Sequence, residues 1–261
     1  MASVVVGLSG SVARVMLSNA PRLNAMSRAM WRELRQAFQS IALQPGLRCV
    51  VVAGEVAGQG HHFSAGGDIS EYADFRFNEA SLRDFHEGDV WGALQAMLDC
   101  NLPTIAQIEG NCMGAGLEIA SCCDIRLAST SARFGAPIAK LGFPMAPREA
   151  ALVIGAVGES TARDMLLAAS VLDSSHMLHC GFLNRVCSDA ELSAQVQGYV
   201  DRITALAPQA AAMNKQSFRA MGQSTRAQAA SELIATAYTY AASPEHREGV
   251  TAFIEKRPPQ F

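Results

Sequence analysis

The sequence predicts an α/β fold in which strand and helix alternate through most of the chain and helices take over at the end. Three observations carry this. Short β-branched runs recur between small-residue turns, apolar helical runs follow them, and beyond Ser160 the apolar positions return almost throughout at helical spacing.

Taken in order, residues 4–8 and 12–17 are β-branched runs around Ser9-Gly10-Ser11, a hairpin signal. Ser27 is placed to cap a helix with Met30, Leu34, Phe38 and Ile41 on one face, and Pro45-Gly46 ends it. That completes a strand–strand–helix unit. The pattern repeats with a strand at 48–54, helical stretches through Leu98, a strand at 104–110, a glycine turn, a helix, and a strand at 124–128. Helices are then predicted at 161–169, 174–179, 191–206, 208–221 and 225–241, with a short strand at 184–187.

The chemistry concentrates at two turns. GNCMGAGLEIASCCD, residues 110–124, lies between a buried-strand pattern and an apolar helical run. The first N–H groups of a helix lack intrahelical partners and carry the positive end of its dipole, so an anionic oxygen near Gly114-Ala115-Gly116 would be stabilised. Glu118 follows within the first turn. The second turn, FSAGGDI at 63–69, also follows a strand-like run. Two such turns, each giving one N–H to the same oxygen, make an oxyanion hole, whose single donors are worth about 10²–10³ in rate.

These motifs resemble those of the enoyl-CoA hydratase/isomerase (crotonase) superfamily. FSAGGDIS is similar to its AGAD-type turn and GNCMGAGLEIASCCDIRLAS to its GxxxGGGxE segment, and the resemblance runs from Asn19 to Arg257. It implies a spiral of β-β-α units over 1–195 holding an acyl-CoA site, and a helical region over 196–261 that builds a homotrimer or a dimer of trimers. It implies an enzyme that stabilises a thioester enolate, with hydration of a 2-enoyl-CoA as the default. An isomerase, decarboxylase or hydrolase, or a binder without turnover, is the alternative. The N–H groups of Gly67 and Ala115 would hold the thioester oxygen, and Glu118 would exchange the proton. Arg22, Lys256 and Arg257 would meet the CoA phosphates, Phe253 the adenosine, and Ala25, Ala65, Asp68 and Ile69 would line the CoA site. CoA is here part of the substrate, and no separate cofactor is expected.

One departure matters. FGAPI at 134–138 resembles the family's FGxPE segment but ends in Ile138, where hydratases carry a second glutamate that shares the attacking water. Met145 falls about where dienoyl-CoA isomerases place an aspartate. With only Glu118 in place, poor hydration of simple straight-chain 2-enoyl-CoA is expected unless another acid enters the pocket. Candidates are His86, Glu87, Arg148 and Glu149, with Glu149 first. The least family-like stretch, 70–99, holds Tyr72, Phe75, Phe77, Phe85, His86, Glu87 and Trp91, and is expected to encode the acyl group.

Composition narrows the partners. At 261 residues, 49% hydrophobic and 17% charged, the chain is ordinary globular protein. A net charge of −3 with a pI near 6.1 gives no basic field for nucleic acid or an anionic membrane, so phosphates must be held locally. No apolar run approaches the roughly eighteen residues of a membrane span. The cysteines Cys49, Cys100, Cys112, Cys122, Cys123, Cys180 and Cys187 show no CxxC spacing or secretory leader, and are expected to be reduced, buried thiols of a cytoplasmic protein.

Other readings are weaker. His61-His62 and the pair His176/His179 lack a third ligand, so no metal is expected. Gly110, Gly114 and Gly116 are spaced GxxxGxG, unlike a dinucleotide fingerprint. Ser64 with His62 and Asp68 lacks the GxSxG elbow of a hydrolase. Cys122-Cys123 reads as packing.

Overall fold

Nine strands occur in chain order: β1 (Ser3–Ser9), β2 (Val12–Ser18), β3 (Cys49–Gly54), β4 (Thr104–Ile108), β5 (Asn111–Met113), β6 (Ile125–Ser129), β7 (Arg133–Gly135), β8 (Val171–Asp173) and β9 (Arg185–Cys187), among the described residues. The structure is a computed structural model that describes residues 2–56, 60–222, 228 and 231–260. A six-stranded sheet has the order β1-β2-β3-β4-β6-β9, and a three-stranded sheet the order β5-β7-β8. The hairpin β1–β2 is antiparallel, with Ser9 opposite Val12, and from β2 onward every pairing in the large sheet is parallel.

Helices are α1 (Arg28–Leu43), α2 (Tyr72–Phe75), α3 (Glu79–Arg83), α4 (Trp91–Asp99), α5 (Ala115–Cys122), α6 (Pro147–Val157), α7 (Glu159–Leu167), α8 (Ser174–His179), α9 (Asp189–Ala205), α10 (Pro208–Gly222) and α11 (Pro244–Ile254). Between α3 and α4 the backbone widens into π-helical turns at Asp84–Val90. Ser27 caps α1 as expected, its Oγ accepting the Met30 N–H at 3.2 Å.

The central strands are buried on both faces, which is why β3 reads as a continuous apolar run rather than an alternating one. Val50, Val52, Ala106 and Ile108 face the main core with α1 and α4. Cys49, Val51, Ile105 and Leu127 face α9 through Leu192, Val196 and Val200.

Three differences from the sequence reading have local causes. Strands β5, β7 and β8 are three residues each, too short to leave a periodic signal. Helix α6 starts at Pro147 with no side-chain cap, so its start is marked only by the proline at its first position and by Glu149 in its first turn. Of the helix expected at 225–241, residues 223–227 and 229–230 lie outside the described residues. From Ile234 the chain turns instead, because the Arg83 guanidinium donates to the Ile234 and Ala235 carbonyls (2.8 and 3.1 Å) that a helix would have used. The expectation of buried thiols holds for five cysteines, while Cys180 and Cys187 are half-buried, and all seven are free.

Candidate active site

The two glycine turns are stitched side by side. The Ser64 N–H donates to the Asn111 carbonyl (2.9 Å) and the Met113 N–H to the Ser64 carbonyl (2.9 Å). On its other side the same turn is fixed to the Asn19–Met26 loop: Ala65 N–H to Leu23 O, Met26 N–H to Gly66 O and Asp68 N–H to Met26 O, at 2.7–2.9 Å. Gly114 sits at φ +46° just before α5, and its N–H goes to the Gly135 carbonyl at 2.8 Å.

Among the N–H groups that this arrangement leaves without a partner are those of Gly67 and Ala115. Gly67 N–H donates to nothing among the described residues. Ala115 opens α5, so its N–H has no intrahelical partner. Both residues border one cavity of about 50 Å³, together with Glu118 from the first turn of α5. Glycine is required at 67, since a Cβ there would stand 2.2 Å from the Tyr72 hydroxyl.

The stretch expected to encode the acyl group supplies much of the wall: Tyr72 and Arg76 from α2 and its end, then Phe85 and His86 from the π-helical turns. Ile138, Phe143 and Met145 close it, and Glu149 enters from the first turn of α6. Glu87 and Arg148 pair with each other instead, at 3.0 Å, and Glu87 also takes the Tyr238 hydroxyl at 2.5 Å. Of the four candidates for a replacement acid, His86 and Glu149 line the cavity.

Glu118 and Glu149 are both buried, 7% and 3% exposed. Burial pushes both carboxyls above the usual carboxylate range; Glu149 adds to the rise at Glu118, while Arg76 pulls both back. Two such groups titrate as a pair, and the pair gives up its protons at higher pH than ordinary carboxylates do. The Glu118 carboxyl makes no hydrogen bond to a described residue and faces the cavity.

Glu149 is held by His86, whose Nδ1 lies 2.7 Å from its Oε1. The other ring nitrogen is 3.5 Å from an Arg76 terminal nitrogen. A guanidinium only donates, so Nε2 must accept and Nδ1 must carry the proton toward Glu149. His86 is therefore neutral, and burial, with the Arg76 charge, holds its pKa well below the ordinary histidine value. Its ring stacks on Tyr238 at 5.6 Å.

Arg22, expected at CoA, lies at the edge of this site. Its guanidinium bonds Asp68 and the Ser70 hydroxyl, so Arg22, Ala25, Ala65, Asp68 and Ile69 form one loop cluster beside the Gly67 turn. Phe253, 55% exposed, and Lys256, at φ +56°, stand at the end of α11 outside the cavity lining. Arg257 is taken by Glu248 and Glu255. A wider cleft of about 440 Å³ among Pro244, Glu245, Glu248, Arg257 and Gln260 shares no residue with the cavity.

The weaker readings find no geometry. Ser64 Oγ accepts from the Gly66 N–H, His62 Nδ1 accepts from the Asn111 N–H, and Asp68 turns to Arg22, so no triad forms. No cluster of three metal-ligating side chains exists among the described residues. The sequence reading passed over Arg76. An arginine among Tyr72, Phe75 and Phe77 was the available signal.

A family model described as enoyl-CoA hydratase/isomerase matches residues 7–261. A probable enoyl-CoA hydratase of Mycobacterium tuberculosis is 28% identical, covering 99% of this chain and 97% of that protein. The 2,3-dehydroadipyl-CoA hydratase of Escherichia coli is 31% identical, over 100% and 99%. The crystal structure of an enoyl-CoA hydratase/carnithine racemase from Magnetospirillum magneticum superposes with a TM-score of 0.80 at 31% identity, over 99% and 94%. Fold and sequence agree: the chain belongs to the enoyl-CoA hydratase/isomerase family, whose members act on acyl-CoA thioesters, and its fold is the crotonase type.

Proposed function

We propose that the protein hydrates a 2-enoyl-CoA, with Glu118 and Glu149 as its acid–base pair. The observation that carries this is the meeting of two buried carboxyls beside the two unused N–H groups of Gly67 and Ala115. The thioester oxygen would lie between those N–H groups, which stabilise the charge that develops on it. Glu149, accepting from His86, is the better placed to be ionised and takes a proton from water as the oxygen attacks the β-carbon. Glu118 delivers a proton to the α-carbon, and the new Glu149 proton returns to it through the site. The sum is one water added. Ile138 leaves its family position without an acid, and Glu149 supplies the second one from α6.

The Arg22 loop cluster would receive the CoA adenosine and phosphates. Phe253 and Lys256, exposed at the end of α11, would complete that site in a neighbouring copy, in keeping with a trimer or a dimer of trimers. Incubation with a panel of 2-enoyl-CoAs, straight-chain and carboxyl-ended, read by mass, tests the reaction. Gain of one water on at least one substrate is expected; a panel left unchanged would overturn the reading.

A further inference from the structure

The least explained group in the cavity is Arg76. Its side chain is 1% exposed, yet it forms no salt bridge with a carboxylate among the described residues. Its Nε is buried with no hydrogen-bond partner. What surrounds it is mostly aromatic: the guanidinium carbon lies 3.8 Å from the Phe143 ring centre and 4.3 Å from that of Tyr72. Its polar neighbours are uncharged, the His86 ring at 3.5 Å and the Tyr240 side chain. A buried cation is costly unless paired and hydrogen-bonded, and arginine cannot shed its proton to escape that cost.

The two glutamates do not resolve it. Glu118 and Glu149 share the cavity with Arg76, but neither makes an ion pair with it. The Nε donor of the guanidinium is therefore left over on the wall of the site that takes the acyl group.

We propose that Arg76 binds a carboxylate at the far end of the acyl chain, so that the substrates are short acyl-CoAs whose acyl group ends in a carboxylate. This rests on the acyl-CoA reading above. A planar guanidinium pairs two N–H groups with two carboxylate oxygens, and the faces of Phe143 and Tyr72 keep that plane fixed. The enclosed volume of about 50 Å³ suits a short chain. Because an ion pair stabilises the carboxylate as it stands, the group is a handle that survives the reaction and is not lost as carbon dioxide.

The test uses unreactive saturated thioesters. Calorimetry on the full protein would compare glutaryl-CoA with pentanoyl-CoA, equal in chain length, and with the uncharged carbamoyl counterpart of glutaryl-CoA. Charged hydrogen bonds in a desolvated site make glutaryl-CoA roughly 10–100-fold the tighter ligand. Arg76→Met should erase that preference. The carbamoyl comparison gives the same answer on the unaltered protein if Arg76→Met does not fold. Equal affinity for the three thioesters, or a preference that survives Arg76→Met, would overturn the proposal while leaving the acyl-CoA reading intact. Failure of every thioester to bind would overturn both.

Discussion

At Gly67 the geometry permits no side chain, and the cause is a single atom. The Cβ of an alanine would sit 2.2 Å from the Tyr72 hydroxyl and 3.2 Å from the ring carbon that bears it. Gly67→Ala should therefore displace the turn and lower turnover at least tenfold, since a misplaced donor loses the developing charge. Gly67→Ala combined with Tyr72→Phe should recover part of that loss by removing the nearer atom. Equal turnover in Gly67→Ala and the unaltered protein would show that the turn does not meet the thioester. The turns that carry Gly67, Ala115 and Glu118 were legible because their small residues stand close together in the sequence, and the resemblance singled out those three positions. Glu149 and His86 come together across 63 positions of chain, and spacing carries no such information.

Among the elements, α11 controls the site without lining it. Gly249 on this helix lies against the turn that follows Ile138, where an added Cβ would be 2.3 Å from the Leu141 carbonyl carbon. A Cβ added at Gly142 in that turn would be equally close to Glu245, 2.2 Å from its carbonyl oxygen. Gly249→Ala is expected to destabilise by roughly 1–3 kcal/mol through overpacking against backbone. It should also weaken acyl-CoA binding, because Ile138 and Phe143 move with the turn. Urea unfolding and calorimetry measure the two effects; unchanged values in both would mean that the helix is not wedged there. The long elements were legible from periodicity and caps, as α1 with its Ser27 cap illustrates. Strands β5, β7 and β8 were not, since tertiary pairing around the glycine turn creates them.

For the whole molecule, the buried carboxyls set a pH dependence with a definite sign. Both have folded pKa values above the ordinary 4.5, so the folded protein keeps protons that the unfolded chain has released. Their contribution to stability therefore falls as pH rises above about 4.5. Glu149→Gln should flatten that fall, seen in urea midpoints between about pH 5 and about pH 8. His246 acts oppositely, because burial lowers it to about 4 from 6.5, and stability falls as pH drops through that window. An unaltered slope in Glu149→Gln would mean that burial does not raise the pKa of this carboxyl in the fold. Assembly is the other property at this scale. Met213, Phe218 and Leu233 stand exposed on the C-terminal helices and turns. Tyr238, farther along the same region, is buried against His86. Light scattering at micromolar concentration should give the mass of a trimer or hexamer, and a monomer would contradict that association.

In the proposed reaction two carboxyls from different elements, Glu118 on α5 and Glu149 on α6, divide the work of adding water. Hydration of the best 2-enoyl-CoA found in the panel, followed by loss of the conjugated thioester absorbance, tests it most directly. Glu118→Gln and Glu149→Gln should each reduce turnover by about 10²–10⁴ with the substrate still bound, and the double variant should be little worse than either. Turnover by Glu149→Gln at the unaltered rate would contradict the account and leave Glu118 to work alone.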